Sequence, residues 1–241
     1  MREVVERWRQ LCKGSALSRR FAHNDPLDTA ELARLTEVAE VWRSRLMGIS
    51  WFMRYLNESI AREANREDQC TGRFWEGRFK SQALLDEQAL AACLAYVDLN
   101  PIRAKMADTP ETSAHTSIQR RIEAAKDGRQ PEPLFPFAGN PRDPMPVGLP
   151  FRLQDYLELV DWSGRCLREG KRGTIDGNLP PILDRLQIDP RHWLYLNKNF
   201  ESRFKSLVGS AHSVRSACEQ LGKRWAHGIH DCERYLSPPA T

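Results

Sequence analysis

The stretch between Asp86 and Pro101 constrains the fold most, because both ends of a helix are marked in it. Asp86 is a residue type favoured at the N-cap, and Glu87 puts negative charge in the first turn. Pro101 pushes the residue before it out of the helical region, which ends the helix near Asn100. The predicted core-facing stripe has helical spacing and consists of Leu90, Cys93, Leu94 and Val97. The sequence therefore predicts a helix over 86–100.

Tyr96 and Asn100 lie four residues apart and hence on the same side of this helix. At about 100° per residue, Tyr96 points roughly 120° away from Leu90, at the edge of the predicted stripe. Its hydroxyl is then able to reach a cleft. The alternative is a boundary tyrosine whose ring packs and whose hydroxyl binds water.

The segment before this helix mixes cations with aromatic side chains around two glycines. Its cations are Arg73, Arg78 and Lys80, and its aromatic residues are Phe74, Trp75 and Phe79. Such a mixture is suited to holding a phosphate backbone while aromatic rings pack or stack.

Two stretches, GRFWEGRFK at 72–80 and AYVDLNPIRA at 95–104, closely resemble the C-terminal half of the single-tyrosine HUH-type transposases. The resemblance is to the REP-associated (RayT-like) subgroup in particular, and it is strongest over residues 49–122. It implies that Tyr96 is a nucleophile, which attacks a phosphodiester in single-stranded or hairpin DNA and forms a 5′-phosphotyrosine. It also implies that Asn100 helps to hold a divalent metal, Mg or Mn.

One part of the family pattern is missing. Relatives hold the metal mainly with a His-hydrophobic-His pair upstream of the tyrosine helix, whereas His23 is the single histidine before Tyr96. Met1 leads into sequence that looks like the middle of a longer relative, so we expect a truncated chain. A phenol is a poor nucleophile at neutral pH unless a metal polarises the phosphate. We therefore expect that this chain does not bind the metal alone.

The resemblance also places the helix that starts near Ser50 beside the DNA-binding cleft. Arg54, Asn57 and Arg62 on this helix are therefore possible phosphate contacts. The other candidate DNA-binding residues are Arg73, Arg78 and Lys80 of the preceding segment, and Arg103. For a single cation on an exposed helix face, a solvated side chain is the alternative. The residues of this helix predicted to point inward are Phe52, Met53, Leu56 and Ile60. A strand predicted at 78–85 lacks an evident neighbour, so we expect it to be poorly supported or paired with another chain.

The fold class that follows is mainly α, with a vestige of an α+β transposase catalytic domain plus a C-terminal helical domain. Residues 1–126 form the transposase-like part, 127–150 a proline-rich linker, and 151–241 a helical, basic domain. Further helices are predicted at 2–12, 28–47, 117–126, 180–187, 189–208 with a break, 211–225 and from Phe151, with loops at 14–26 and 170–181.

Charge is concentrated in the C-terminal helices. Residues 191–225 carry seven basic and two acidic side chains, a surplus of five positive charges, although the whole chain has a net charge of only +4. Such a patch favours a polyanion as partner, and the alternative is a solvated face of a packing bundle. His227, His230 and Cys232 are the one cluster of soft metal ligands, but their spacing is not that of a zinc module.

Composition excludes other classes. No apolar run approaches the length that spans a bilayer, so we expect a cytoplasmic chain with no membrane partner. The six cysteines form no Cys-x-x-Cys pair, which indicates reduced thiols.

Three functions stay open at this level. The first is a transposase that cleaves and rejoins DNA through Tyr96, the second is a non-catalytic DNA-binding remnant, and the third is a helical protein-interaction or non-functional fragment. The missing histidine pair favours the second over the first. Nothing in the sequence decides between a monomer and a homodimer.

Overall fold

The computed structural model describes residues 1–139, 147–169 and 179–236, and most of these residues are helical, which confirms the mainly α class. The chain divides into two compact units, Met1–Lys80 and Ser81–Thr241. The division therefore falls just before the tyrosine helix, whereas the sequence predicts a linker at 127–150. The reason is that the tyrosine helix packs against a helix near the C terminus, so both belong to one unit. No helix in the described part is both long and apolar enough to cross a membrane.

The N-terminal unit contains α1 (Arg2–Leu11), α2 (Ala16–Ala22), α3 (Thr29–Leu46) and α4 (Ile49–Glu67). The rings of Trp8 on α1 and Trp42 on α3 stack with centroids 5.1 Å apart and form the centre of its core. α3 starts where predicted, because the Asp28 carboxylate accepts a hydrogen bond from the Glu31 backbone N–H at 2.7 Å. α2 lies inside the stretch predicted as a loop at 14–26 and begins with a capping box at Ser15.

The packing of α4 differs from the prediction. None of its residues is fully buried, and three of those predicted to point inward are exposed: Phe52 by 62%, Leu56 by 42% and Ile60 by 40%. The helix instead turns Trp51 and Tyr55 toward Trp8, whose ring centroid lies 6.1 Å from each of theirs. Aromatic rings bury large areas, so this pair decides which side of α4 faces its unit.

Tyr55 also links α4 to the end of α1. The Cys12 thiol donates a hydrogen bond to the Tyr55 hydroxyl at 2.7 Å. Burial, together with this hydrogen bond, raises the pKa of Tyr55 to about 12.

The C-terminal unit contains two short strands and eight helices within its described residues, with one 3₁₀ turn at Pro110–Thr112. They are β1 (Ala83–Leu84), α5 (Glu87–Asp98), α6 (Asn100–Arg103), α7 (Ser117–Lys126), α8 (Leu153–Glu169), α9 (Pro181–Leu186), α10 (Pro190–Arg203), β2 (Leu207–Val208), α11 (Ala211–Gln220) and α12 (Ile229–Tyr235).

The tyrosine helix is α5, and its buried face differs from the predicted stripe. Its fully buried apolar residues are Ala89, Ala91, Ala92 and Ala95, whereas Val97 is exposed and Leu90, Cys93 and Leu94 are half-buried. α5 makes its most extensive contacts with α10. Alanine side chains are short, so they allow the two helices to approach closely, and this close approach selects the alanine face over the larger residues.

The predicted strand is shorter than expected and has a neighbour in the same chain. β1 pairs in parallel with β2, with Ala83 opposite Leu207 and Leu84 opposite Val208. The Gln82 side-chain amide extends the contact by donating to the Phe204 carbonyl at 2.7 Å. The backbone hydrogen bonds of this short strand are therefore made within the C-terminal unit.

The described part of 127–150 packs on the C-terminal unit, and so the linker prediction is not met there. The Gln130 side chain donates to the Phe137 carbonyl at 2.9 Å and accepts from the Phe137 N–H at 2.7 Å. Phe137 also bridges to Leu149, and its ring centroid lies 4.9 Å from that of Tyr156. Most of the loop predicted at 170–181 lies outside the described residues.

A buried polar network joins three helices behind Phe137. Asp98, at the end of α5, accepts hydrogen bonds from the Ser117 hydroxyl at 2.5 Å and the Tyr156 hydroxyl at 2.6 Å. Arg121 is buried nearby, and its guanidinium donates to a backbone carbonyl at 3.0 Å. Burial, and secondarily the Asp98 charge, raises the pKa of Tyr156 well above its usual value.

Candidate functional site

Tyr96 lies on α5 at the contact with α10, where it is half-buried. Its ring centroid is 5.7 Å from that of Phe200, with the planes tilted by 33°. Its hydroxyl is 3.4 Å from Glu201 Oε2, at the long limit of a hydrogen bond. The ring therefore packs while the hydroxyl stays at the surface beside a carboxylate.

Arg103 brings the tyrosine together with Asn100. Its guanidinium carbon lies 3.7 Å from the centroid of the Tyr96 ring, a cation–π contact. Its Nη1 donates to the Tyr96 carbonyl at 2.7 Å, and its Nη2 donates to Asn100 Oδ1 at 3.0 Å. Burial lowers the pKa of Arg103, while Tyr96 and Glu201 oppose that shift. An arginine stays protonated at neutral pH in any case, so the site carries a fixed positive charge.

Tyr96, Asn100, Arg103 and Glu201 form one group, which we call the Tyr96 cluster. The first three were predicted from the sequence, and their spacing of four and seven residues around a helix end brings them together. Glu201 was not predicted. It is separated from Tyr96 by 105 residues, and no local pattern indicates that α10 packs on α5.

The Tyr96 cluster does not fit the metal that the resemblance implies. Asn100 Oδ1 already accepts a hydrogen bond from Arg103, so a cation placed there would meet a guanidinium. Among the described residues, no group of three His, Cys, Asp or Glu side chains is arranged to hold a metal ion. In the C-terminal cluster, Cys232 is buried in α12 whereas the His230 side chain is exposed and faces Glu233 at 3.4 Å.

The other predicted residues lie in the N-terminal unit, mainly in residues 70–80, which we call the 70–80 segment. The segment has no regular secondary structure but is tied to α4. Trp75 Nε1 donates to the Asn57 carbonyl at 2.9 Å, and Asn65 Nδ2 donates to the Gly72 carbonyl at 3.1 Å. Arg73 Nε donates to the Trp75 carbonyl at 2.8 Å, so Arg73 shapes the segment itself.

The aromatic side chains of the 70–80 segment face solvent. Phe74 and Trp75 are 41% and 39% exposed, and their rings meet edge to face at 4.8 Å. Arg78 and Lys80 are exposed as well, and neither forms an ion pair within the described residues. The segment therefore presents two aromatic rings and two cations on a backbone fixed at two points.

The two candidate cations of α4 differ from each other. Arg62 forms an ion pair with Glu58, one turn away on the same helix. The Arg54 guanidinium carbon lies 5.0 Å from the centroid of the Trp51 ring and has no carboxylate partner in the described part of the chain. Arg54 is thus free to meet an anion, whereas Arg62 must first leave Glu58.

One cation of the basic surplus at 191–225 lies beside a second aromatic cluster. Tyr195 on α10 and Tyr235 on α12 stack with ring centroids 4.1 Å apart. The Arg203 guanidinium carbon lies 5.9 Å from the centroid of the Tyr195 ring, while Arg215 is paired with Glu233. Part of the surplus is therefore neutralised within the unit.

Comparison with known proteins adds no relative. No family model matches the sequence, and neither curated proteins nor solved structures give a match.

Proposed function

We propose that this chain binds single-stranded or hairpin DNA, in the manner of the single-tyrosine HUH-type transposases that its sequence resembles. One observation carries the proposal. The 70–80 segment exposes Phe74 and Trp75 together with Arg78 and Lys80, two cations that have no acidic partner among the residues that the structure describes.

The physical argument has two parts. An unpaired cation binds a phosphate without first giving up an ion pair, and each such contact releases counterions from the nucleic acid. Exposed aromatic faces add base stacking, which is independent of sequence and available only where bases are unpaired. Because Trp75 and Gly72 are already tied to α4, little of the segment has to be ordered on binding.

The double variant Arg78→Gln/Lys80→Gln tests this proposal. We expect it to bind a single-stranded oligonucleotide about tenfold or more weakly at low salt. The slope of log K against log salt should also become shallower by roughly 1.4, since each phosphate contact to a single strand contributes about 0.7. Fluorescence anisotropy of a labelled oligonucleotide over a series of salt concentrations measures both quantities.

The matched control is Arg34→Gln/Arg43→Gln, which removes the same charge from the same unit. Both of those arginines are exposed on α3 and paired with glutamates. Equal losses in the two double variants would mean that net charge alone governs binding and would overturn the role of the 70–80 segment. Binding that ignores salt, or no binding at all, would reject the DNA proposal.

Cleavage of a DNA strand at Tyr96 is a second candidate function, and the Tyr96 cluster favours it. In such a step the Tyr96 oxygen attacks phosphorus, an O–P bond forms, and the P–O3′ bond breaks. The phenol proton passes to the Glu201 carboxylate, the departing 3′ oxygen takes a proton from water, and Arg103 offsets the phosphate charge. Metal-assisted cleavage would require ligands beyond those around Tyr96. In this proposal the β1–β2 pair is the vestige of the family's α+β catalytic domain.

Cleavage predicts a covalent adduct. Wild-type protein incubated with a hairpin oligonucleotide and Mg²⁺ or Mn²⁺ should give a species of reduced mobility on a denaturing gel, and Tyr96→Phe should abolish it. The control Tyr235→Phe removes a tyrosine hydroxyl outside the Tyr96 cluster and should keep the adduct. An adduct that persists in Tyr96→Phe excludes Tyr96 as nucleophile. DNA binding without any adduct rejects cleavage and leaves the binding proposal in place.

A further inference from the structure

The loop that follows α11 exposes a tryptophan next to two cations. Trp225 is 72% exposed, whereas Trp75, the next most exposed of the seven tryptophans, is 39% exposed. Lys223 and Arg224 directly precede Trp225, and both are exposed and form no ion pair within the described residues. We call residues 221–225 the Trp225 loop.

The backbone of this loop is fixed at both ends. At its start, Gly222 ends α11 with a positive φ of 62°, and the Lys223 N–H donates to the Cys218 carbonyl at 2.8 Å. Just after the loop, Gly228 packs so closely against Arg203 that a Cβ added there would lie 2.7 Å from the Arg203 carbonyl oxygen. A partner of the loop therefore has little backbone to order when it binds.

We infer that the Trp225 loop is a second binding site for single-stranded DNA, in addition to the 70–80 segment. The inference rests on the proposed function and extends it, because it assigns DNA contacts to the C-terminal unit as well. An exposed indole ring offers a face on which an unpaired base stacks, and Lys223 and Arg224 supply positive charge for the adjacent phosphates. Cations at the C-terminal end of α11 also interact favourably with the helix dipole, but that role does not require an exposed ring.

The two cations of the loop differ from others in the basic surplus at 191–225. Arg215 is paired with Glu233, and Lys205 Nζ donates to the Glu201 carbonyl at 3.2 Å. Arg203 lies beside a tyrosine ring. The loop thus combines positive charge that is not engaged within the described unit with an aromatic face, and this combination is complementary to a single strand.

A single strand suits the loop better than a membrane surface does. Leu221, at 57% exposed, is the other exposed large apolar side chain of the loop. Two apolar side chains bury little area in a bilayer, and stable attachment to a membrane takes more than one signal. Stacking of one base, by contrast, needs only one ring.

Trp225→Ala tests the stacking contact in the full chain. We expect it to bind a single-stranded oligonucleotide about tenfold more weakly and to leave binding of a duplex of the same sequence unchanged, because paired bases do not stack on a protein ring. Fluorescence anisotropy measures both affinities. Leu221→Ala is the control, since it removes exposed apolar surface from the same loop without removing a ring, and it should change neither affinity. Equal losses for single strand and duplex in Trp225→Ala, or no loss, would overturn the inference.

Lys223→Gln/Arg224→Gln tests the phosphate contacts. The slope of log K against log salt for a single strand should become shallower by roughly 1.4, since each contact contributes about 0.7. Arg191→Gln/Lys198→Gln is the matched control, because it removes two exposed cations of α10 that also form no ion pair within the described residues. Equal changes in the two double variants would mean that the charge of the unit, and not the loop, governs binding.

Photo-crosslinking separates this inference from the proposed function. An oligonucleotide that carries iodouracil crosslinks to aromatic side chains in contact with the base, and mass spectrometry of the digested adduct locates the crosslink. We expect adducts at both Trp225 and Trp75. An adduct at Trp225 alone supports the inference and contradicts the role of the 70–80 segment, whereas an adduct at Trp75 alone overturns the inference and leaves the proposed function in place.

A vesicle assay tests the membrane alternative. Wild-type protein should not sediment with vesicles of phosphatidylserine and phosphatidylcholine. Sedimentation that both Trp225→Ala and Leu221→Ala reduce, with oligonucleotide binding unchanged in both variants, would assign the loop to a lipid surface and overturn the inference.

Discussion

Arg103 makes three contacts of different kinds, with the ring of Tyr96, its carbonyl and the amide of Asn100. A lysine could not make all three, because it lacks the planar fork of donors. The same side chain that brings Tyr96 and Asn100 together also occupies the oxygen that a metal would need. At the scale of the residue, the Tyr96 cluster is therefore organised around a guanidinium. This is its main chemical difference from the metal site that the resemblance implies.

Tyr55 gives a prediction at the same scale. Its pKa is raised to about 12 in the folded chain, whereas a tyrosine in an unfolded chain has a pKa of about 10. The stability that Tyr55 contributes is therefore fully present below pH 10 and is lost as the pH rises toward 12. In Tyr55→Phe this loss is absent, so the free energy of unfolding should fall less steeply between about pH 10 and 12. Urea denaturation at a series of pH values measures the slope.

A comparison at neutral pH serves as the control for that experiment. There the tyrosine is protonated in both states, so Tyr55→Phe differs from wild type only by the loss of the hydrogen bond from Cys12, about 1 kcal/mol. Parallel curves above pH 10 would contradict the assignment of the alkaline loss to Tyr55.

At the scale of the elements, Asp98 joins α5, α7 and α8. A carboxylate near the C-terminal end of a helix opposes the helix dipole. Two hydroxyl donors, from Ser117 and Tyr156, and the charge of Arg121 compensate for this and for the burial of the carboxylate. The same carboxylate lies two residues after Tyr96, so the network also fixes the end of the helix that carries the tyrosine.

Asp98→Ala should destabilise the C-terminal unit by about 3–5 kcal/mol, because it leaves a buried guanidinium without its counter-charge and two hydroxyls without an acceptor. Urea denaturation at pH 7 measures the change in the free energy of unfolding. Asp127→Ala is the control: its ion pair with Arg129 is exposed, so we expect a change of no more than about 1 kcal/mol. Similar changes in the two variants would contradict the role of the network.

At the scale of the whole molecule, the sequence predicts where helices begin far better than which side of them is buried. The starts of α3, α5 and α7 are marked by Asp28, Asp86 and Thr116, whose side chains accept hydrogen bonds from the first turn. The buried face of a helix depends instead on its neighbour. Trp8 contacts the side of α4 that carries Trp51 and Tyr55, and α10 packs against the alanine side of α5. The spacing of residues within either helix does not predict which side is buried.

In the candidate site, too, contacts between residues close in sequence are predictable, whereas contacts between distant residues are not. Tyr96 and Asn100 lie one turn apart on the predicted helix, so helical geometry predicts that they share a side. Arg103 lies beyond the predicted end of that helix and reaches them from α6. Glu201 and the partner of β1 come from more than one element away, and only tertiary packing brings them into place. The described part of the predicted linker packs for a related reason, because the Gln130 side chain satisfies both backbone groups of Phe137 and the prolines do not prevent this.

The parallel pairing of β1 with β2 bears on how the protein folds as it is synthesised. Gln82 and Phe204, which bond beside the two strands, are 122 residues apart. While a ribosome makes the chain, the N-terminal unit is complete early, since it consists of the first eighty residues. β1 and the alanine face of α5 emerge next and stay uncovered until α10 and β2 follow. The nascent chain therefore carries an open strand edge while residues 85–206 are made, and in that interval it depends most on chaperones.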